Sequence, residues 1–184
     1  MSPSPGPVTV SLPDADAARA LGMALAGLLR AGDVVVLTGD LGAGKTTLTQ
    51  GLGEGLGVRG PITSPTFVIA RMHPSLIGGP ALIHVDAYRL NGVIEMDDLD
   101  LDADLDACVV VVEWGHGVAE QLSADRLEVV LQVLGSTQTR TATLVATGER
   151  WADPAALSAL VALAELGRPA PGASWASGSP LADD

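Results

Sequence analysis

Residues 39–46 read Gly39-Asp40-Leu41-Gly42-Ala43-Gly44-Lys45-Thr46 and satisfy G-x-x-x-x-G-K-[ST] at every fixed position. Before them, 33–38 is a short β-branched run, the pattern of a strand buried on both faces. After them, Leu48, Leu52 and Leu56 recur at four-residue spacing and predict a helix over 46–56. Strand, glycine loop and helix in that order are the setting in which this motif binds phosphate. Glycines let the backbone curl until consecutive N–H groups converge on phosphate oxygens. The helix N-terminus adds the positive end of its dipole. Lys45 supplies a compact charge for the β- and γ-phosphates, and the Thr46 hydroxyl is suited to Mg²⁺. Asp40, Leu41, Gly42, Ala43, Gly44, Lys45, Thr46 and Thr47 are therefore the expected nucleotide-binding residues. Lys45 is also the only lysine, although arginine occurs nine times, so a point charge has been kept where a planar fork serves elsewhere. The single lysine leaves none for the [NT]-K-x-D motif that resembles GTPase guanine recognition, and no D-x-x-G follows the loop. ATP is the expected nucleotide.

The predicted helix carries Gly51, Gly53 and Gly55, each costing about 1 kcal/mol against alanine, so packing and its N-terminal ligand must hold it. Around it, 14–30 reads as a helix capped by Asp14, and 66–71, 81–86 and 107–112 read as strands. Residues 127–134 and 141–147 form a hairpin pattern through Gly135 and Ser136. A helix over 153–166 starts at Asp153 and Pro154 and ends at Gly167. These elements predict an α/β class chain: a P-loop NTPase-like three-layer domain with a mixed, partly antiparallel β-sheet. One domain over 1–167 is expected, with a Pro/Gly-rich disordered tail over 168–184 and a loose start over 2–7.

A chain of 184 residues with 47% hydrophobic and 17% charged residues can bury a full core. Its net charge of −12 opposes direct gripping of tRNA or DNA, which relies on Lys and Arg at phosphates. Phe67, Tyr88, Trp114, Trp151 and Trp175 are too few for a base-stacking platform. No apolar run approaches the roughly 20 residues of a membrane span, and the first ten residues lack a secretory pattern. With Cys108 as its one cysteine, the chain is expected to be cytoplasmic.

A P-loop enzyme also needs a carboxylate at the end of a buried strand. Two runs qualify: 82–86, ending in Asp86, and 109–113, ending in Glu113 and followed by Trp114. The second run is the more completely apolar, which gives Glu113 a slight preference as the metal carboxylate. The other carboxylate would then orient or deprotonate the attacking water. Ser64-Pro65-Thr66-Phe67 lies where such proteins carry a γ-phosphate-sensing loop. His84 shares a strand face with Asp86 and is placed to position it, although a packing histidine is the simpler reading. Asp100-x-Asp102-x-Asp104 lacks the glycine and glutamate of a calcium loop. His73, His84, His116 and Cys108 lack zinc spacing. Arg71, Arg89 and Arg126 are candidate phosphate or partner contacts, none singled out.

The ordered set of the P-loop, Ser64-Pro-Thr-Phe67, His84-Val-Asp-Ala-Tyr-Arg-Leu90 and Glu113-Trp114 resembles the TsaE family over about 14–145. TsaE is the ATPase of the bacterial machinery that makes threonylcarbamoyladenosine in tRNAs reading ANN codons. The resemblance implies a Mg²⁺-dependent ATPase of low intrinsic turnover that acts on the TsaD–TsaB pair, with hydrolysis resetting that complex. It implies Thr46 and Glu113 as metal ligands, Asp86 in hydrolysis, Thr66 in the switch loop, and Leu12 bordering the adenine. Gly115-His116-Gly117 departs from the family, which often has an acidic residue there, and the tail runs past the usual end. A small-molecule kinase and a non-hydrolysing nucleotide sensor are the competing functions.

Overall fold

A computed structural model of the chain describes residues 6–89, 105–117, 119, 122–135 and 139–167. Its sheet has seven strands in the order β1-β7-β6-β2-β5-β4-β3. They are β1 (Val8–Leu12), β2 (Val34–Thr38), β3 (Ala70–His73), β4 (Ala81–Asp86), β5 (Cys108–Glu113), β6 (Arg126–Val133) and β7 (Arg140–Thr147). The inner strands β6, β2, β5 and β4 run parallel, while β7, β1 and β3 are antiparallel to their neighbours. The expected mixed sheet of a P-loop NTPase-like domain is therefore present.

Helices α1 (Ala15–Ala26), α2 (Lys45–Gly55) and α3 (Pro154–Ala162) pack with one sheet face around Leu21, Leu25, Leu48, Leu52 and Trp151. On the opposite face Val34, Val36, Ile83, Val85, Val110 and Val112 form a second cluster. Alternate residues of β2 thus feed both clusters, which is why its sequence is uniformly apolar. Among the described residues, Ala70, Ala81, Leu105 and Leu122 pack against this second cluster.

Two of the three glycines of α2, Gly51 and Gly55, serve the packing of α1 on α2, while Gly53 faces Ile62 and Val58. A Cβ on Gly51 would run into the carbonyl oxygen of Arg19, and one on Gly22 of α1 into that of Leu48. Glycine at both places lets the helix backbones touch, so the propensity penalty is offset by close packing.

Several boundaries differ from expectation. The strand expected over 66–71 begins only at Ala70, because the Pro65 carbonyl accepts from the N–H groups of Val68 and Ile69 (2.9 and 2.7 Å). Ile69 then adopts φ 68°, reversing the chain into a turn. Helix α1 stops at Ala26 rather than Arg30, with Gly27 as its cap. Helix α3, capped by Asp153, passes into a 3₁₀ turn over Leu163–Gly167. Strand β1 is not among the expected elements, although Val8, Val10 and Leu12 alternate with Thr9 and Ser11; it pairs antiparallel with β7. The acidic triplet at 100, 102 and 104 and the tail 168–184 lie outside the described residues.

Candidate nucleotide site

The parallel strands β2, β4 and β5 end on the same edge of the sheet, where open α/β folds bind ligands. From β2 the chain enters the glycine loop. Gly44, at φ 106°, holds the left-handed turn before Lys45, the first residue of α2, and no side chain caps this helix. Its N–H groups thus face outward as an anion site.

Lys45 is only 5% exposed. Its ammonium donates to the carbonyls of Gly39 (2.6 Å) and Asp40 (3.0 Å) and stands 3.9 Å over the Trp114 ring. Burial lowers its pKa below the ordinary lysine value, partly opposed by the negative charges of Glu113, Asp86 and Asp40. From the start of β7, two strands from β2 and at the same edge of the sheet, Arg140 Nη2 donates to the carbonyl of Gly42 at 3.3 Å.

Asp86 and Glu113 are register partners at the ends of β4 and β5, and both are nearly buried. They are bonded differently. Glu113 Oε1 accepts from the Thr46 hydroxyl at 3.1 Å and pairs with His84 Nε2 at 2.8 Å. Asp86 Oδ2 accepts from the hydroxyls of Ser64 (3.1 Å) and Thr66 (2.7 Å), and its Oδ1 accepts from the Tyr88 N–H (3.0 Å). One carboxylate is tied to the phosphate loop, the other to the Ser64–Thr66 loop. His84, expected beside Asp86, reaches across to the neighbouring strand and engages Glu113 instead.

Trp114 leaves β5 at φ 59°, a left-handed conformation uncommon for a bulky residue and characteristic of functional sites. Its ring meets that of Tyr88 at 5.3 Å between centroids. Phe67 is 86% and Tyr88 67% exposed, so these scarce aromatics are not spent on the core.

The walls enclose an open cavity of about 350 Å³. Leu41, Gly42, Gly44, Lys45, Thr46 and Thr47 line it with Ser64, Thr66, Asp86, Glu113 and Trp114. Asp40 contributes through its backbone, and Ala43 is buried beneath the loop. Leu12 is 1% exposed in β1, belongs to the hydrophobic core and does not line this cavity. Arg71 is bonded to Thr63 and Arg126 to Glu128, both away from the loop. Arg140 gave no sequence signal, because only the β6–β7 hairpin brings it 98 residues back to Gly42.

Among the described residues no group of three or more His, Cys, Asp or Glu side chains is poised for a metal. The pair of Thr46 hydroxyl and Glu113 carboxylate is nonetheless a fitting donor set for Mg²⁺. That ion takes hard oxygens, commonly one or two protein ligands completed by phosphates and water.

Comparison with known proteins agrees with this geometry. The family model of "Threonylcarbamoyl adenosine biosynthesis protein TsaE" matches residues 12–142, a span that contains every residue lining the cavity. The tRNA threonylcarbamoyladenosine biosynthesis protein TsaE of Streptomyces coelicolor is 62% identical over 138 residues, covering 73% of this chain and 93% of that protein. The TsaE protein of Mycobacterium tuberculosis (strain H37Rv) is 52% identical over 142 residues, covering 73% and 84%. Among solved structures, Bacillus subtilis YdiB superposes with a TM-score of 0.68 at 31% identity, covering 85% of this chain and 95% of that one. A phosphate loop facing two paired strand-end carboxylates, within a span that matches one family from end to end, places this chain in the TsaE family of threonylcarbamoyladenosine biosynthesis proteins.

Proposed function

We propose that this chain is a Mg²⁺-dependent ATPase, serving threonylcarbamoyladenosine modification of tRNA by binding and hydrolysing ATP on the TsaD–TsaB complex. The observation that carries this reading is the 3.1 Å bond from the Thr46 hydroxyl to Glu113, which joins the first turn of α2 to the end of β5 beside Lys45. Thr46 and Glu113 are the residues that would hold Mg²⁺, whose charge helps neutralise the phosphates during transfer. Lys45 adds its own charge there once it exchanges loop carbonyls for phosphate oxygens. The exposed N–H groups of the loop and α2 bind and orient the phosphates. Asp86 is the candidate for positioning or deprotonating water, and Ser64 and Thr66 link that carboxylate to a loop that can respond to the γ-phosphate.

A net charge of −12 fits an ATPase whose partner, rather than itself, touches tRNA. No helix among the described residues is long and apolar enough to cross a membrane, and a part in tRNA modification fits a place in the cytoplasm. The exposed Phe67 and Tyr88 beside the cavity suit a surface that reports nucleotide state to a partner.

The test is phosphate release from Mg-ATP by the chain alone and with purified TsaD–TsaB, with Lys45→Ala as control. Slow release alone, stimulated by the pair and absent in the control, is the expected result. Tight Mg-ATP binding with no release under either condition would favour the nucleotide sensor instead.

A further inference from the structure

We infer that His84 is a positioning residue that holds Glu113 in the orientation needed for divalent-cation binding, rather than a histidine that only packs. The inference rests on the reading of Glu113 proposed above. His84 is completely buried in the middle of β4. Its Nε2 lies 2.8 Å from Glu113 Oε1, the same oxygen that accepts the Thr46 hydroxyl, whereas its Nδ1 is buried without a hydrogen-bond partner.

These contacts favour the tautomer that donates from Nε2. An ionised carboxylate can only accept, so the proton sits on Nε2 and is donated to Glu113, and the bare nitrogen is Nδ1. A histidine that merely filled space would leave both ring nitrogens buried and unpaired, which is unfavourable for polar atoms removed from water. Instead, one nitrogen is committed to a group at the site. The two donors on Oε1, one from the neighbouring strand β4 and one from the first turn of α2, hold that oxygen between them. Outer partners of this kind orient a metal ligand, and their loss commonly weakens metal affinity 10- to 100-fold.

Two amides separate positioning from packing. In His84→Asn the shorter side chain cannot reach Glu113, while in His84→Gln the amide N–H can stand near the place of Nε2. Mn²⁺ binding to the full chain with ADP, followed by electron paramagnetic resonance, reads the cation directly. Titration of ADP in EDTA reads the nucleotide without it. The expected result is about tenfold or greater weakening of Mn²⁺ in His84→Asn, recovery in His84→Gln, and equal ADP affinity without cation in all three. Equal Mn²⁺ affinity in the three proteins would overturn the inference, as would parallel losses of cation-free ADP binding in both variants. Nitrogen-15 chemical shifts of the imidazole in the unliganded chain supply a readout that needs no cation. A protonated Nε2 and bare Nδ1 are expected, and the opposite tautomer would overturn the inference. If the unsubstituted chain bound ADP without any response to Mn²⁺, the proposed function would fail, while the tautomer would still decide whether His84 donates to Glu113.

Discussion

The ends of β4 and β5 carry the same chemistry one strand apart and use it differently. Asp86 and Glu113 are register partners, both carboxylates and both nearly buried. Glu113 takes its hydrogen bonds from rigid elements, the first turn of α2 and the centre of β4. Asp86 takes its bonds from Ser64 and Thr66, on either side of Pro65, and from the Tyr88 N–H. A ligand held by strand and helix keeps its geometry, as a cation requires. A ligand held by a turn moves when the turn moves, as a sensor of bound phosphate requires. Under the proposed function, what separates the two carboxylates is therefore not their position in the sheet but the elements to which each is bonded.

The largest effect should come from removing the group both carboxylates face. Lys45→Ala is expected to weaken ATP binding by at least about a hundredfold, since it deletes the loop's charge-assisted bonds to phosphate, while thermal unfolding stays near that of the unsubstituted chain. Calorimetric titration checks this, and unchanged affinity would break the assignment of the loop itself. Next, Glu113→Ala and Asp86→Ala should each reduce phosphate release about a hundredfold or more in single-turnover assays, for different reasons. Full release in either variant would remove that carboxylate from the comparison.

A third prediction leaves the carboxylates alone. Gly51→Ala should destabilise the fold by about 1–3 kcal/mol through the collision of its Cβ with the Arg19 carbonyl, without altering the Mg²⁺ dependence of ATP binding. Chemical denaturation gives the first quantity and titration the second. A smaller effect follows at the turn. Thr66→Val removes the 2.7 Å bond to Asp86 and should slow hydrolysis by about tenfold, more than Ser64→Ala with its 3.1 Å bond, at unchanged Mg²⁺ affinity.

The smallest effect is on pH. Burial holds the Lys45 pKa below its ordinary value, so between the two values the folded chain binds fewer protons than the unfolded one. Fold stability should therefore rise with pH across that window, while ATP affinity falls as the ammonium is lost. Parallel melting and binding series would read both slopes, and an affinity that held up to the ordinary lysine value would contradict the burial argument.

Much of this arrangement was legible in the sequence, because it is written in local signals. The glycine spacing at 39–46, the apolar runs before Asp86 and Glu113, and the Asp14 and Asp153 caps each act over a few residues. What escaped depends on strand neighbours far apart in the chain. Sharing a face with Asp86 suggested a partner for His84, yet the parallel pairing of β4 with β5 gave it Glu113 instead. Arg140 reached Gly42 only through the hairpin. Gly51 and Gly55 of α2 read as a penalty until α1 was packed against them. Leu12, implied by family resemblance to border the base, is instead buried in the core.

The division of labour between the two strand ends is the centre of this account, and the Mg²⁺ dependence of nucleotide affinity tests it most directly. ATP would be titrated into the Glu113→Ala and Asp86→Ala chains with and without Mg²⁺. The account predicts that Glu113→Ala loses the Mg²⁺ enhancement of binding and Asp86→Ala keeps it. An Asp86→Ala chain indifferent to Mg²⁺, beside a Glu113→Ala chain that still responds to it, would contradict the account and exchange the two roles.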